Sequence, residues 1–242
     1  MDQVLREKLT QLTSKCEILA KNNRYTECID ISEEIVALKK ELYGMDHPEF
    51  FKASEKLCEY LNLAAMLELQ QEKFELSLEH LKKAELVARN SSQFKSTTYN
   101  NLACYYRRTG KIRTALAYLI QALELELKMD ASKALADTHL NLCAVLSQLD
   151  RHEDALQHVM LSIILLQDEF LRVALPKARE EEGEDAISDE RLAVLAIAYH
   201  NLGVEFEHLK RVVNPTFSSR SPSRSTRSPS TFRRSTWGPT SS

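Results

Sequence analysis

Four asparagines of this chain open the same short pattern: Asn62-Leu63-Ala64, Asn101-Leu102-Ala103, Asn141-Leu142-Cys143 and Asn201-Leu202-Gly203. An amide side chain carries two donors and an acceptor, the equipment that bonds the backbone of an extended peptide. Inside a helix Asn costs roughly 0.5 kcal/mol relative to Ala, so its repeated use there asks for a reason. Two reasons are open: the amides grip a bound segment, or each bonds a neighbouring helix and holds the structure together. Tyr105 and Arg108, one or two turns beyond Asn101, add a ring and a cation suited to an acidic or aromatic ligand side chain; ordinary exposed residues would read the same way.

Other chemistry finds no support in the spacing. There is no Gly-rich phosphate loop, no GxSxG, no HExxH and no Cys/His/Asp constellation, so catalytic residues, metal ligands and cofactors are all expected to be none. The histidines are scattered, and His152 and His158, six apart, do not share a helix face closely enough for a metal pair. Cys16, Cys28, Cys58, Cys104 and Cys143 are odd in number and lack CxxC spacing, which reads as buried, reduced thiols of a cytoplasmic protein.

The elements that position these residues follow from the period. The first three asparagines lie 39 and 40 residues apart and the fourth follows 60 later. A repeat of about 35–45 residues marks stacked two-helix units. In the clearest unit Leu102, Tyr106 and Thr109 form one stripe, Gly110 ends the helix, and Ala115, Leu119 and Ala122 form the inward stripe of a second. The next unit repeats this with Leu142, Leu146, Asp150 at the turn, then Ala155, Val159 and Ser162; Asp150 with Glu153 reads as a capped helix start. Small residues hold two recurring slots: Ala103, Cys143 and Gly203 in one; Cys28, Ser77, Ala115 and Ala155 in the other, where close helix approach requires them. Around Asn62 the unit has one extra residue before Phe74, and in the first unit Lys15 replaces an expected Leu.

The pattern Asn-Leu-Ala/Gly, an aromatic or Leu four residues past that Leu, a turn, then Ala-x-x-x-Leu/Val-x-x-Ala resembles the tetratricopeptide repeat. Its long period, with Tyr43-Gly44-Met45-Asp46-His47-Pro48-Glu49 leading into a helix, resembles the variant of kinesin light chains. The resemblance implies an all-α, right-handed α-solenoid whose first helices line a concave face, and a non-catalytic scaffold or adaptor that binds peptide segments there. It implies cargo-peptide contacts for Asn62, Asn101, Asn141 and Asn201, and by analogy a motor-cargo, cytoskeletal or ciliary setting. The long N-terminal heptad segment of a kinesin light chain is missing from the chain. A clamp for a C-terminal carboxylate is not expected, because its slots hold Asn100 and Cys104.

Residues 1–212 thus read as about four and a half repeats with an acidic insert at 176–188, and 213–242 as a disordered tail. The last unit, Tyr199-His200-Asn201-Leu202-Gly203-Val204-Glu205-Phe206, has no second helix after Lys210-Arg211; either another chain covers its apolar stripe, or a tail has replaced further repeats. That tail carries five arginines and no acid, +5 against −8 for the rest of a chain of net charge −3. Ser221 and Ser228, each before a proline, are phosphorylation candidates that would offset the charge. An arginine-serine tail could instead make the protein an RNA-associated factor, the alternative to the scaffold reading; nucleic acid is otherwise not expected as a partner. The N-terminus is charged from the start and the longest apolar stretch, Val159 to Leu166, is too short to span a bilayer, so no membrane association is expected.

Overall fold

The computed structural model describes residues 2–129, 132–174 and 188–213. The acidic insert and the basic tail, with Ser221 and Ser228, lie essentially outside them. Among the described residues the regular structure is entirely helical: α1 (Asp2–Lys21), α2 (Tyr25–Tyr43), α3 (Pro48–Gln70), α4 (Phe74–Val87), α5 (Ser92–Arg108), α6 (Ile112–Met129), α7 (Ser132–Ser147), α8 (His152–Ala174) and α9 (Asp189–Val213), with a 3₁₀ turn at Ala88–Asn90. Each helix packs on the next, and α3, α5, α7 and α9 also pack on one another in succession. The second, third and fourth hairpins therefore stack through their first helices, followed by a fifth first helix, while α1 meets the stack only through α2.

The hairpins close through one turn geometry. Asn23, Glu72, Gly110 and Asp150 all have left-handed backbone, with φ between 56° and 79°. In each turn the residue after it donates back five positions: Arg24 to Leu19, Lys73 to Glu68, Lys111 to Tyr106 and Arg151 to Leu146, at 2.8–3.0 Å. This is the Schellman stop, which satisfies carbonyls a helix end would otherwise leave bare. Glycine takes that conformation freely and is used once; Asn, Glu and Asp hold it at the other three positions. Asp150 is thus the terminator of α7 rather than the cap of α8. The carbonyl that starts α8 belongs to Arg151, which accepts from Ala155 at 2.9 Å. Between the second and third helices the chain needs a longer connection, and there Gly44 (φ 85°) ends α2 while His47 accepts the Glu49 amide ahead of Pro48.

Packing follows the small slots. Cys28, Ser77, Ala115 and Ala155 are fully buried where their hairpins cross. The hydroxyls of Ser77 and, seven residues past Ala155, Ser162 have no hydrogen-bond partner, so these positions demand small volume and not polarity. The core runs along the stack, from Cys16, Leu19, Leu57 and Leu61 through Leu81, Tyr99 and Leu102 to Leu119, Leu140, Val159 and Leu166. All five cysteines are free. Burial pushes the Cys28, Cys58 and Cys143 thiols up to about 12, 11 and 12, which keeps them protonated at neutral pH.

Candidate functional site

The asparagines sit where consecutive first helices touch. Asn62, on α3, donates its amide to Thr98 Oγ1 of α5 at 2.9 Å and to its own Cys58 carbonyl at 2.9 Å. Asn100, one residue before the expected position, repeats this one unit on by donating to Thr138 Oγ1 of α7 at 2.7 Å. Asn101 donates to Asn62 Oδ1 at 2.9 Å, and Asn141 to Asn100 Oδ1 at 3.2 Å. The result is a seam of amides and threonines running α3–α5–α7.

This corrects the register read from the sequence. Asn62 corresponds to Asn100, 38 residues on, the same spacing that separates Ser77 from Ala115 and the left-handed Glu72 from Gly110. The connections Gln71–Lys73 and Thr109–Lys111 have equal length, so the unit around Asn62 holds no extra residue. Asn101 and Asn141, in turn, are true equivalents. After α7 the seam stops, because the slots of Asn100 and Thr98 are then held by Leu140 and Ala198, both buried and apolar. Asn201, which would continue the ladder, is half-buried, and in the preceding first helix, α7, the acceptor slot it would need is held by Leu140.

The placement also shows what the asparagines bond within the chain. Asn62 and Asn101 are 5% exposed, Asn141 8% and Asn100 9%, with donors taken by neighbours. A buried amide without a partner is costly, so these side chains bond the stack first. They form the floor of the face on which they were expected to stand open. Tyr105 is likewise not a surface ring. It is buried in the core, edge-on to Phe74 and Tyr106 at 6.5 and 5.2 Å, because α4 closes over it. Arg108 alone of the expected set is exposed, at the end of α5, within 3.8 Å of Glu72. Beside the Asn100–Asn101 floor α5 exposes Gln93 and Arg108, with Thr97 and Cys104 half-buried between them; along α7 Gln148 is exposed and Ala144 half-buried.

Beneath the seam lies a residue the pattern did not reveal. Glu126 of α6 is fully buried, accepts from Asn100 Nδ2 at 3.1 Å with one oxygen, and leaves the other unpartnered. Burial raises its carboxyl to about 7, partly offset by hydrogen bonds from Thr138, Ser96 and Asn100. The same slot holds Ala88 in the preceding unit and Leu166 in the following one, so a charge in an apolar column was the available signal.

The histidines, scattered in sequence, pair in space. His80 bonds Glu68 at 2.8 Å; His152 bonds the buried Glu205 at 2.7 Å and stacks on His208; His139 and His158 share a 2.8 Å contact between their Nδ1 atoms. Burial lowers His139 to about 4, so that pair is neutral and one ring donates to the other. Among the described residues no group of three His, Cys, Asp or Glu could hold a metal ion.

Stacked hairpins with these turns and small slots now have a comparison. The family model for the tetratricopeptide repeat matches residues 56–127, the second hairpin and the third. Residues 56–127 carry tetratricopeptide repeats. Its fold is similar to the crystal structure of BtubC (BKLC) from P. vanneervenii, with a TM-score of 0.58 at 16% identity over 96% of this chain and 89% of that one. A structure of nearly identical TPR-like repeats from Podosopora anserina, named for kinesin light chain, is also similar, with a TM-score of 0.47 at 17% identity over 88% of this chain and 97% of that one. No curated protein matches the chain in sequence. The fold is the expected right-handed tetratricopeptide solenoid, and such repeats make it a protein-interaction scaffold. No described helix is long and apolar enough to cross a membrane.

Proposed function

We propose that the scaffold binds an extended protein segment across the face of its first helices, between α5 and α7. The observation behind this reading is that α3, α5 and α7 lie side by side over a self-bonded amide floor, with Arg108 and Gln148 exposed and Thr97, Cys104 and Ala144 half-buried beside it. A floor whose amides already hold one another is rigid, so little side-chain order is lost on binding. Arg108 supplies a planar cation for an acidic side chain, and the half-open Asn201 supplies an amide at the end of the ladder. Asn62, Asn101 and Asn141 contribute by setting the floor, and reach a ligand only by exchanging a bond within the seam. The repeats act without catalysis, and the likeness of their sequence to kinesin light chain repeats directs the search for partners to motor-cargo, cytoskeletal and ciliary proteins.

An array of acidic and neutral ten-residue peptides, screened by fluorescence polarisation, tests this. Acidic peptides bind, and Arg108→Glu weakens them at least tenfold while the melting curve stays in place. Equal binding of the two proteins to every peptide refutes the site. The composition of the tail motivates a second reading, an RNA-associated factor acting through its arginines. It requires salt-sensitive RNA binding that disappears when residues 214–242 are deleted.

A further inference from the structure

Among the described residues the ninth helix is packed on one side only. Arg191 ties its start to α7 and α8, and Ala198 and Glu205 bury its inner side. Its other side presents Leu192, Tyr199 and Phe206, seven residues apart and each nearly half exposed, with Ala196 and Gly203 open between them. The contrast with the third unit is direct. Tyr99 and Tyr199 hold one slot, but they are 8% and 47% exposed, because Tyr99 packs against Tyr118 of α6 and no described helix lies over Tyr199 in the same way. Ala103, the counterpart of Gly203, is buried by the same helix.

We propose that a second copy of this chain covers this face, α9 lying antiparallel on α9 about a two-fold axis at Asn201. In the stack, the covering helix runs antiparallel and carries two small residues seven apart with a large one between, as Ala115, Leu119 and Ala122 do. The ninth helix carries that same beat in Ala196, Tyr199 and Gly203 and so can serve as its own partner. With the axis at Asn201, Tyr199 faces the partner's Gly203 and Ala196 faces the partner's Phe206, a large side chain into a small one each time. The alternating spacing of three and four residues is that of a helix–helix seam. Glycine weakens a helix interior, and a Cβ at Gly203 would meet nothing within 4 Å in the monomer, so the monomer has no use for the gap that close approach of a second helix requires. Charge agrees with the orientation: exposed Asp189 lies at one end of α9 and exposed Lys210 at the other, and only the antiparallel arrangement brings unlike ends together. The isologous contact closes on itself, giving a dimer joined end to end and no filament.

Sedimentation equilibrium of the full chain at about 1–100 µM tests this, a range that brackets a moderate self-affinity. The expected result is a monomer–dimer equilibrium that Phe206→Glu and Gly203→Leu each weaken at least tenfold, with helical circular dichroism unchanged because both positions are open in the monomer. Asp189→Lys and Lys210→Asp each weaken it several-fold, and the double exchange recovers the original affinity. A chain that stays monomeric throughout, including one that takes only a foreign helix on this face, overturns the proposal. So does a dimer indifferent to Phe206→Glu and Gly203→Leu, or a charge exchange that fails to recover.

Discussion

Replacing Glu126 by Leu should make the fold more stable, and increasingly so as the pH rises. The carboxyl is fully buried against Ser96 and Asn100 of α5 and Thr138 of α7, near Asp137, with one oxygen unpartnered. Burial lifts it from 4.5 to about 7. Below the unfolded value both states hold the proton and no penalty arises. Between the two values the unfolded chain loses its proton first, so stability falls as pH rises through the folded value and then levels off. A change from 4.5 to about 7 corresponds to about 3 kcal/mol, of which about 2–3 falls between about pH 5 and pH 8. Leu fits because Leu166 fills the equivalent slot fully buried, and Asn100 keeps its bond to Thr138. Urea unfolding of both proteins at the two pH values measures the difference, since other groups cancel in the comparison. The advantage of Glu126→Leu should grow by about 2–3 kcal/mol on going to about pH 8. An advantage that is the same at both, or that shrinks, refutes the reasoning.

Three other outcomes follow from the packing and are read by the same unfolding assay. Ser162→Ala and Ser77→Ala, which remove orphaned buried hydroxyls, should each stabilise by about 1 kcal/mol. Glu72→Gly should stabilise by about 0.5–1 kcal/mol by relieving a left-handed residue, whereas Gly110→Ala should destabilise by about 1 kcal/mol although its Cβ has room. Arg191→Met should cost about 2–3 kcal/mol, because Asp137 and Glu169, which the guanidinium reaches at 2.8 and 2.6 Å, are left as partly buried like charges; hydrogen exchange should show the loss concentrated in α9.

The hairpins were legible because volume is a local demand: a crossing point accepts only Cys, Ser or Ala, and Cys28, Ser77, Ala115 and Ala155 announce it from one residue each. The helix after the fourth hairpin and the bareness of its stripe were legible for the same reason. The seam was not. An amide on a first helix looks alike whether it faces a peptide or the next helix, and what decides is a partner about forty residues away, Thr98 for Asn62 and Thr138 for Asn100. The clue was a one-residue conflict, 38 between the small slots against 39 between the asparagines, which an insertion before Phe74 seemed to absorb. Tyr105 misled because its neighbour Tyr106 holds the aromatic position of the repeat, while the core also takes the ring beside it. Asp150 read as a cap because a carboxylate before a helix normally is one; the preceding helix claimed it first.

The position of a bound segment is the most direct measure of the proposed function. Amide chemical-shift mapping during titration of an acidic peptide should move Thr97, Cys104, Arg108, Ala144 and Gln148 on the first helices, and leave the outer positions of α6 and α8, such as Ile120 and Met160, still. Shifts confined to the second helices would contradict it.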